Sequence, residues 1–193
     1  MQTERQNQII EAGLELISAK GIQGLTIKNL SKKIGISEPA IYRHFENKIQ
    51  ILTTILELLK QNSSKLFEDE IKTTCSAMEK IEHLFANHFM AFEKMPSMTS
   101  VIFSEEIFRS EESLIEKMSE VIEYNNQILI SIISDGQIKG QIRQDIEAEL
   151  LVIMIMGTLR LYIKKWQYAG MSFSLSREGE KVIQMIKLLL EKK

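Results

Sequence analysis

The sequence predicts an all-α protein of about nine helices, and two observations carry that prediction. Only 2 prolines and 9 glycines interrupt the 193 residues, aromatic residues are 7%, and leucine, isoleucine, glutamate and lysine dominate. That composition favours helices over a sheet sandwich. Apolar residues also recur at three- and four-residue spacing between capping residues, the period of a helix with one buried face.

The elements follow in order. Residues 4–20 form an amphipathic helix that buries Ile9, Ile10, Leu14, Leu16 and Ile17 and stops near Gly21. Thr26 N-caps a second helix with Ile27, Leu30, Ser31 and Ile34 inward and Lys28, Asn29, Lys32 and Lys33 outward. Gly35 supplies the left-handed residue that ends it. Ser37 caps a third helix, with Ile36 and Ile41 at the two positions of a hydrophobic staple. A turn of about three residues between two short helices is the helix-turn-helix geometry. Ile41 and Phe45, four apart, face the core and leave Glu38, Pro39, Tyr42, Arg43 and His44 outside. Pro39 lies in the first turn, where its missing N–H removes no helical bond.

The stretch Leu25–Lys48, LTIKNLSKKIGISEPAIYRHFENK, therefore reads as a DNA-reading unit. Arg43 has the forked guanidinium that meets guanine O6 and N7 in the major groove. Tyr42 and His44 suit phosphates, and Lys48 begins the next helix, where a phosphate meets both an ammonium and a helix N-terminus. Thr26 offers a hydroxyl and its neighbours' amides in the same way. Thr26 and Ser37 serve as caps whether or not DNA binds. Glu38 either accepts from cytosine N4 or only favours the helix N-terminus. Residues 1–50 carry 7 lysines and arginines against 5 acids, and the remainder 17 against 21. With a net charge of −2, binding must rest on a local patch.

The run from Ile9 to Leu52, IIEAGLELISAKGIQGLTIKNLSKKIGIS followed by SEPAIYRHFENK, resembles the N-terminal domain of TetR-family transcriptional regulators. Gly13 and Ser31 stand where alanine is commoner in that family, and Ile17 and Ile22 where aromatics are commoner; all are small or apolar core swaps. The resemblance implies a three-helix DNA-binding domain over residues 1–48 and a larger helical ligand-binding and dimerisation domain over 49–193. It also implies DNA contacts at Thr26, Ser37, Glu38, Pro39, Tyr42, Arg43, His44 and Lys48.

Downstream, Asn47 caps a helix with Gln50 as its capping-box partner, and apolar positions continue through Ile51, Leu52, Ile55, Leu58 and Leu59 to residues 62–64 or beyond. Helices follow over 76–94, 97–108 and 111–138, separated at Lys94-Met95-Pro96 and at the polar break Arg109–Ser113, with Gly136 and Gly140 ending the last. Asp145 caps a long helix to about Ala169, and a loop over Gly170–Ser176 leads to the last helix.

Phe85, Phe89 and Phe92 share a face, and Phe103, Phe108, Met90, Met98 and Met118 enrich the same middle region. Such spacing equally suits a plain core. The resemblance implies a small apolar or amphipathic effector held there, with Glu82, Asn87, His88 and Tyr124 orienting it beside Phe85, Phe89, Phe92 and Phe103. The region from Ile146 to Tyr162 is apolar nearly all round, and Gly157 admits a close partner helix. With Val182, Ile183, Ile186, Leu189 and Leu190 of the last helix it predicts a four-helix homodimer interface or, alternatively, an internal core. A two-fold dimer places two recognition helices on a pseudo-palindromic operator.

Other classes are disfavoured. His83 and His88 are five apart, off one helical face, and Cys75 has no partner in an ordered motif. No P-loop, G-x-S-x-G or H-E-x-x-H occurs. No catalytic residue, metal or cofactor is therefore expected. One cysteine forms no internal disulfide, residues 1–8 are too polar for a signal peptide, and Arg160 breaks the apolar run 150–159, so a cytoplasmic protein without membrane partners is expected. The remaining alternative is a DNA-binding protein of this fold that answers to a protein partner.

Overall fold

The computed structural model describes residues 2–103 and 111–192. Among the described residues there are nine α-helices and no strand. They are α1 Glu4–Lys20, α2 Ile27–Ile34, α3 Glu38–Tyr42, α4 Lys48–Ile71, α5 Ala77–Lys94, α6 Pro96–Ile102, α7 Glu112–Ile138, α8 Ala148–Tyr168 and α9 Leu175–Leu190. A 3-10 turn, Ile22–Gly24, joins α1 to α2. No helix among the described residues is long and apolar enough to cross a membrane. The helix predicted over 97–108 is present as α6; its remainder past Phe103, including Phe108, lies outside the described residues. The helices belong to two compact units, Met1–Gln61 with Met95–Glu120, and Asn62–Lys94 with Val121–Lys193.

In the first unit, α1 starts on a capping box: Thr3 Oγ1 accepts from the Gln6 amide at 3.2 Å and Gln6 Oε1 from the Thr3 amide at 2.9 Å. The five α1 residues predicted as inward are buried, and they share a core with Leu25, Leu30, Ile41, Phe45, Ile51, Leu52 and Ile55. Each such side chain stabilises by about 1.5–3 kcal/mol on burial. Helix α6 packs on α1, and Met98, Val101, Leu114 and Met118 join this core. The unit that holds the helix-turn-helix thus takes in chain that sequence order places beyond residue 48. Gly35 ends α2 at φ 76°, ψ 31°, a conformation that strains any residue with a Cβ.

Two caps differ from expectation. Asn47 Oδ1 does accept from the Gln50 amide at 2.9 Å, but Gln50 Oε1 accepts from the Glu46 amide at 2.6 Å instead of returning to Asn47. Asp145 does not cap α8. Its carboxylate is taken by Arg143, Nε to Oδ1 and Nη2 to Oδ2 both at 2.7 Å, and Glu147 holds the N-cap position without a side-chain bond. A bidentate charged pair two residues away outcompetes a single cap bond.

In the second unit α5 packs against α9. Gly179 lies beneath the Phe89 ring: a Cβ there would sit 2.3 Å from Phe89 Cδ2. Glu93 Oε2 accepts from the Ser176 amide at 3.1 Å and from the Ser176 hydroxyl, and these bonds hold its carboxyl below the ordinary range. The carboxylate also satisfies the first turn of α9. At the other end Arg143 donates its amide to Leu190 O (2.9 Å) and Nη1 to Leu189 O (3.2 Å).

Candidate nucleic-acid interface and effector region

Thr26 has extended backbone, φ −132°, ψ 153°, and its Oγ1 accepts from the Asn29 amide at 3.1 Å. Asn29, predicted outward, is half-buried because its Nδ2 donates to Gly24 O at 2.9 Å. Ser37 occupies the N-cap position of α3, where its carbonyl accepts from the Ala40 and Ile41 amides, but its hydroxyl makes no capping bond. Helix α3 itself is five residues long. Arg43 continues it in αR backbone, and Ile41 O accepts from both the His44 and Phe45 amides at 2.9 and 3.0 Å.

Ile41 and Phe45 are buried, which anchors the short helix. Thr26, Ser37, Glu38, Pro39, Tyr42, Arg43 and Lys48 are exposed, and His44 is half-buried. The exposed side chains include hydroxyls, a phenol, a guanidinium and an ammonium at helix starts and along α3. That set can hold phosphates and reach a base edge. Lys28 and Lys32 are solvated, while Lys33 pairs with Glu15 at 2.6 Å.

The residues predicted to surround an effector divide between the units. Phe103 is buried in the first. The others lie in the second, where Phe89 is edge-on to Phe85 (6.4 Å) and to Tyr162 (6.0 Å). His88 packs edge-on to Phe67 (5.5 Å) and against Phe92 (6.0 Å). Its Nδ1–H donates to Leu84 O at 3.1 Å, and burial pushes the imidazole pKa down, so the ring stays neutral. Two polar candidates are occupied: Glu82 pairs with Lys187 at 2.8 Å, and the Tyr124 hydroxyl donates to Glu68, which raises its pKa. Asn87 is half-buried.

Sequence reasoning missed Asn125 and Asn126. Both amide oxygens are buried on α7 with no hydrogen-bond partner among the described residues, and Asn125 stands in a stripe of buried Val121, Ile128, Leu129 and Ile132. Two adjacent asparagines, the first at an inward helical position, were the available signal.

Helix α8 buries Leu151, Val152, Ile155, Leu159, Ile163 and Trp166 in its own unit. Its opposite face exposes Leu150, Ile153, Met154, Leu161 and Tyr168, with Gly157 open between them. On α9 the predicted interface residues Val182, Ile183, Ile186 and Leu190 are instead buried within the protomer. The apolar residues that α9 exposes are Met185 and Leu188, one helical turn along from Lys181 and Gln184. An amphipathic helix has one strong apolar face, and here it is spent internally.

Residues 9–55 match the family model of bacterial regulatory proteins, tetR family, and residues 52–189 match that of the YsiA-like protein C-terminal region. The chain belongs to the TetR family. TetR-family regulators bind operator DNA as dimers and respond to small-molecule effectors. The chain is 24% identical over 179 residues to the fatty acid metabolism regulator protein of Bacillus subtilis (strain 168), covering 93% of this chain and 92% of that one. It is 25% identical over 161 residues to nucleoid occlusion factor SlmA of Vibrio campbellii, covering 80% of each. The crystal structure of the transcriptional regulator FadR from Bacillus subtilis in complex with stearoyl-CoA superposes with a TM-score of 0.79 at 24% identity, over 93% of this chain and 96% of that one. In this TetR-family chain the residues that match the regulatory-protein model, 9–55, hold α2, α3 and the start of α4.

Proposed function

We propose that this TetR-family regulator is a cytoplasmic repressor, not an enzyme, that binds a pseudo-palindromic operator as a homodimer and is released by a long-chain acyl-CoA. The observation that carries the effector reading is the pair of buried amide oxygens of Asn125 and Asn126, which have no partner among the described residues. An unsatisfied buried acceptor costs about 1–3 kcal/mol. A ligand with an apolar chain and amide N–H donors relieves that cost while extending the apolar surroundings. An acyl-CoA has both, in its acyl chain and its pantetheine arm, and stearoyl-CoA is the ligand of the FadR structure. Helix α4 runs unbroken from Lys48 to Ile71, and its Phe67 packs on His88 of α5. Repacking at Phe67 thus acts on the helix that begins at a DNA-facing lysine. The domain boundary near residue 48 is in this reading a functional one, between reading DNA and sensing the effector.

The test is operator binding by fluorescence anisotropy with stearoyl-CoA, free CoA and no addition. Stearoyl-CoA should weaken binding about 5–150-fold, and free CoA should not. Unchanged affinity at saturation would overturn the reading. Asn125→Leu should leave folding stability equal or higher, since it removes the unpaired acceptor, and should reduce the response to stearoyl-CoA. The similarity to SlmA supports a second reading, release by a protein partner; dissociation driven only by a protein fraction would favour it.

The DNA surface makes its own predictions. Arg43→Ala should cost about 1–3 kcal/mol and relax discrimination at one base pair per half-site; equal losses on operator and random DNA would make Arg43 a backbone contact. Lys48→Ala should weaken binding to every sequence and lower the slope of log affinity against log salt by about 0.9 per chain. An unchanged slope would remove Lys48 from the phosphate contacts. Thr26, Ser37, Glu38, Pro39, Tyr42 and His44 complete the proposed interface.

A further inference from the structure

In the second unit the last turn of α4, the link after it and the second turn of α5 bring together Glu70, Cys75 and His83, whose donor atoms all lie within 4.8 Å of one another. His83 Nδ1 is 3.0 Å from Glu70 Oε1. Thr73 Oγ1 donates to Glu70 O at 2.8 Å and lies 3.4 Å from Oε1. Glu70 is 8% exposed.

A carboxylate removed from water is held by hydrogen bonds, an ion pair or a metal ion. Among the described residues no lysine or arginine pairs with Glu70: Lys72 is with Asp69, and Lys80 Nζ donates to Ile71 O at 2.8 Å. The carbonyls at the C-terminus of α4 add negative potential at the same place. The Cys75 thiol is half-exposed and lines a cleft with Ile71, Lys80, Ser131 and Asp135, which opens a path for a small ion.

We propose that Glu70, Cys75 and His83 form a binding site for a divalent transition-metal ion of the Zn2+ type. One thiolate, one imidazole and one carboxylate are the donors of a borderline-soft, four-coordinate ion with one open position. They do not suit Mg2+ or Ca2+, which take oxygen ligands. Ligand bonds of about 2.0–2.3 Å place tetrahedral donors somewhat closer together than the widest separation here. Closure needs only a small movement of Cys75, which lies outside any helix. The ion takes the place of the hydrogen bond between His83 Nδ1 and Glu70 Oε1, with the neutral imidazole carrying its proton on Nε2 and the Cys75 thiol proton released to solvent, and it joins the end of α4 to α5. This site is independent of the effector reading.

The experiment uses untagged full-length protein freed of metal and titrated with Zn2+ alone, followed by calorimetry and, with Co2+ as the probe, by absorption. The expected result is one ion per chain, with a thiolate-to-cobalt charge-transfer band in the near ultraviolet. Cys75→Ser should abolish the band, and Cys75→Ser and His83→Gln should each weaken Zn2+ binding by at least about 100-fold, beyond what loss of an outer-shell partner does. Both positions are at least partly exposed, and circular dichroism of the apo variants confirms that they fold. Zn2+ should raise the melting temperature of the natural chain and not of Cys75→Ser. The proposal is overturned if no one-to-one uptake occurs at micromolar protein, if Co2+ gives no thiolate band, or if Cys75→Ser binds Zn2+ as tightly as the natural chain.

Discussion

Phe89→Ala is expected to lower the stability of the protein by about 3–5 kcal/mol, the cost of emptying a fully buried aromatic position. The side chain is 0% exposed, edge-on to both Phe85 and Tyr162, and rests on the bare backbone of Gly179. Each feature removes a way for the site to collapse around the void: the neighbours are rigid rings, and α9 already lies as close as a residue without a side chain allows. The converse change is also costly. Gly179→Ala puts a methyl 2.3 Å from the ring, and overpacking of that kind costs about 1–3 kcal/mol. The two changes occupy the same volume, so they should compensate: Gly179→Ala in a Phe89→Leu background should cost less than in the natural chain. Urea unfolding of the four proteins measures this, and strictly additive losses would mean that ring and glycine do not share the space.

Ile153→Glu combined with Leu161→Glu is expected to yield a folded monomer whose operator affinity falls by about 10³-fold, toward that of non-specific binding. Both side chains are on the unpaired face of α8, 64% and 72% exposed, so the single chain loses little by their replacement. A second copy packed on that face would bury them, and four carboxylates in an apolar seam are prohibitive. Loss of the dimer separates the two recognition helices, and each half-site must then be held alone. Sedimentation gives the oligomeric state and anisotropy the affinity. A double variant that still dimerises at micromolar concentration would place the interface elsewhere.

The local layer of this fold was legible in the sequence. Helix α1 has the predicted limits, Gly35 adopts the predicted left-handed conformation, and Ile41 and Phe45 are buried as their spacing required. What was not legible depends on partners distant in sequence or on competition for one group. Asp145 reads as a cap until Arg143 is seen to hold it. Val182 and Ile183 read as interface because periodicity reveals an apolar face without telling which surface covers it; α5 does. Met98 and Phe103 belong to the unit of the helix-turn-helix, in which α6 packs on α1, and Met118 of α7 joins the same core; no local pattern encodes these contacts. Cys75 and His83 read as lacking partners, and Glu70 drew no reading at all, because spacings of five and eight across a helix break match no simple ligand motif.

The unspent hydroxyl of Ser37 bears on how fast the protein finds and leaves its site. Five helical residues without a side-chain cap are far below the roughly 12–15 at which a helix begins to hold itself, and α3 is held mainly by Ile41 and Phe45. Its amide protons should therefore exchange with solvent readily in free protein and slowly on the operator. A soft reading element slides over non-specific DNA without committing to it. In the interface proposed above, phosphates at its first turn and a guanine at Arg43 would stiffen it, so residence time, more than encounter rate, would separate the operator from the rest of the genome.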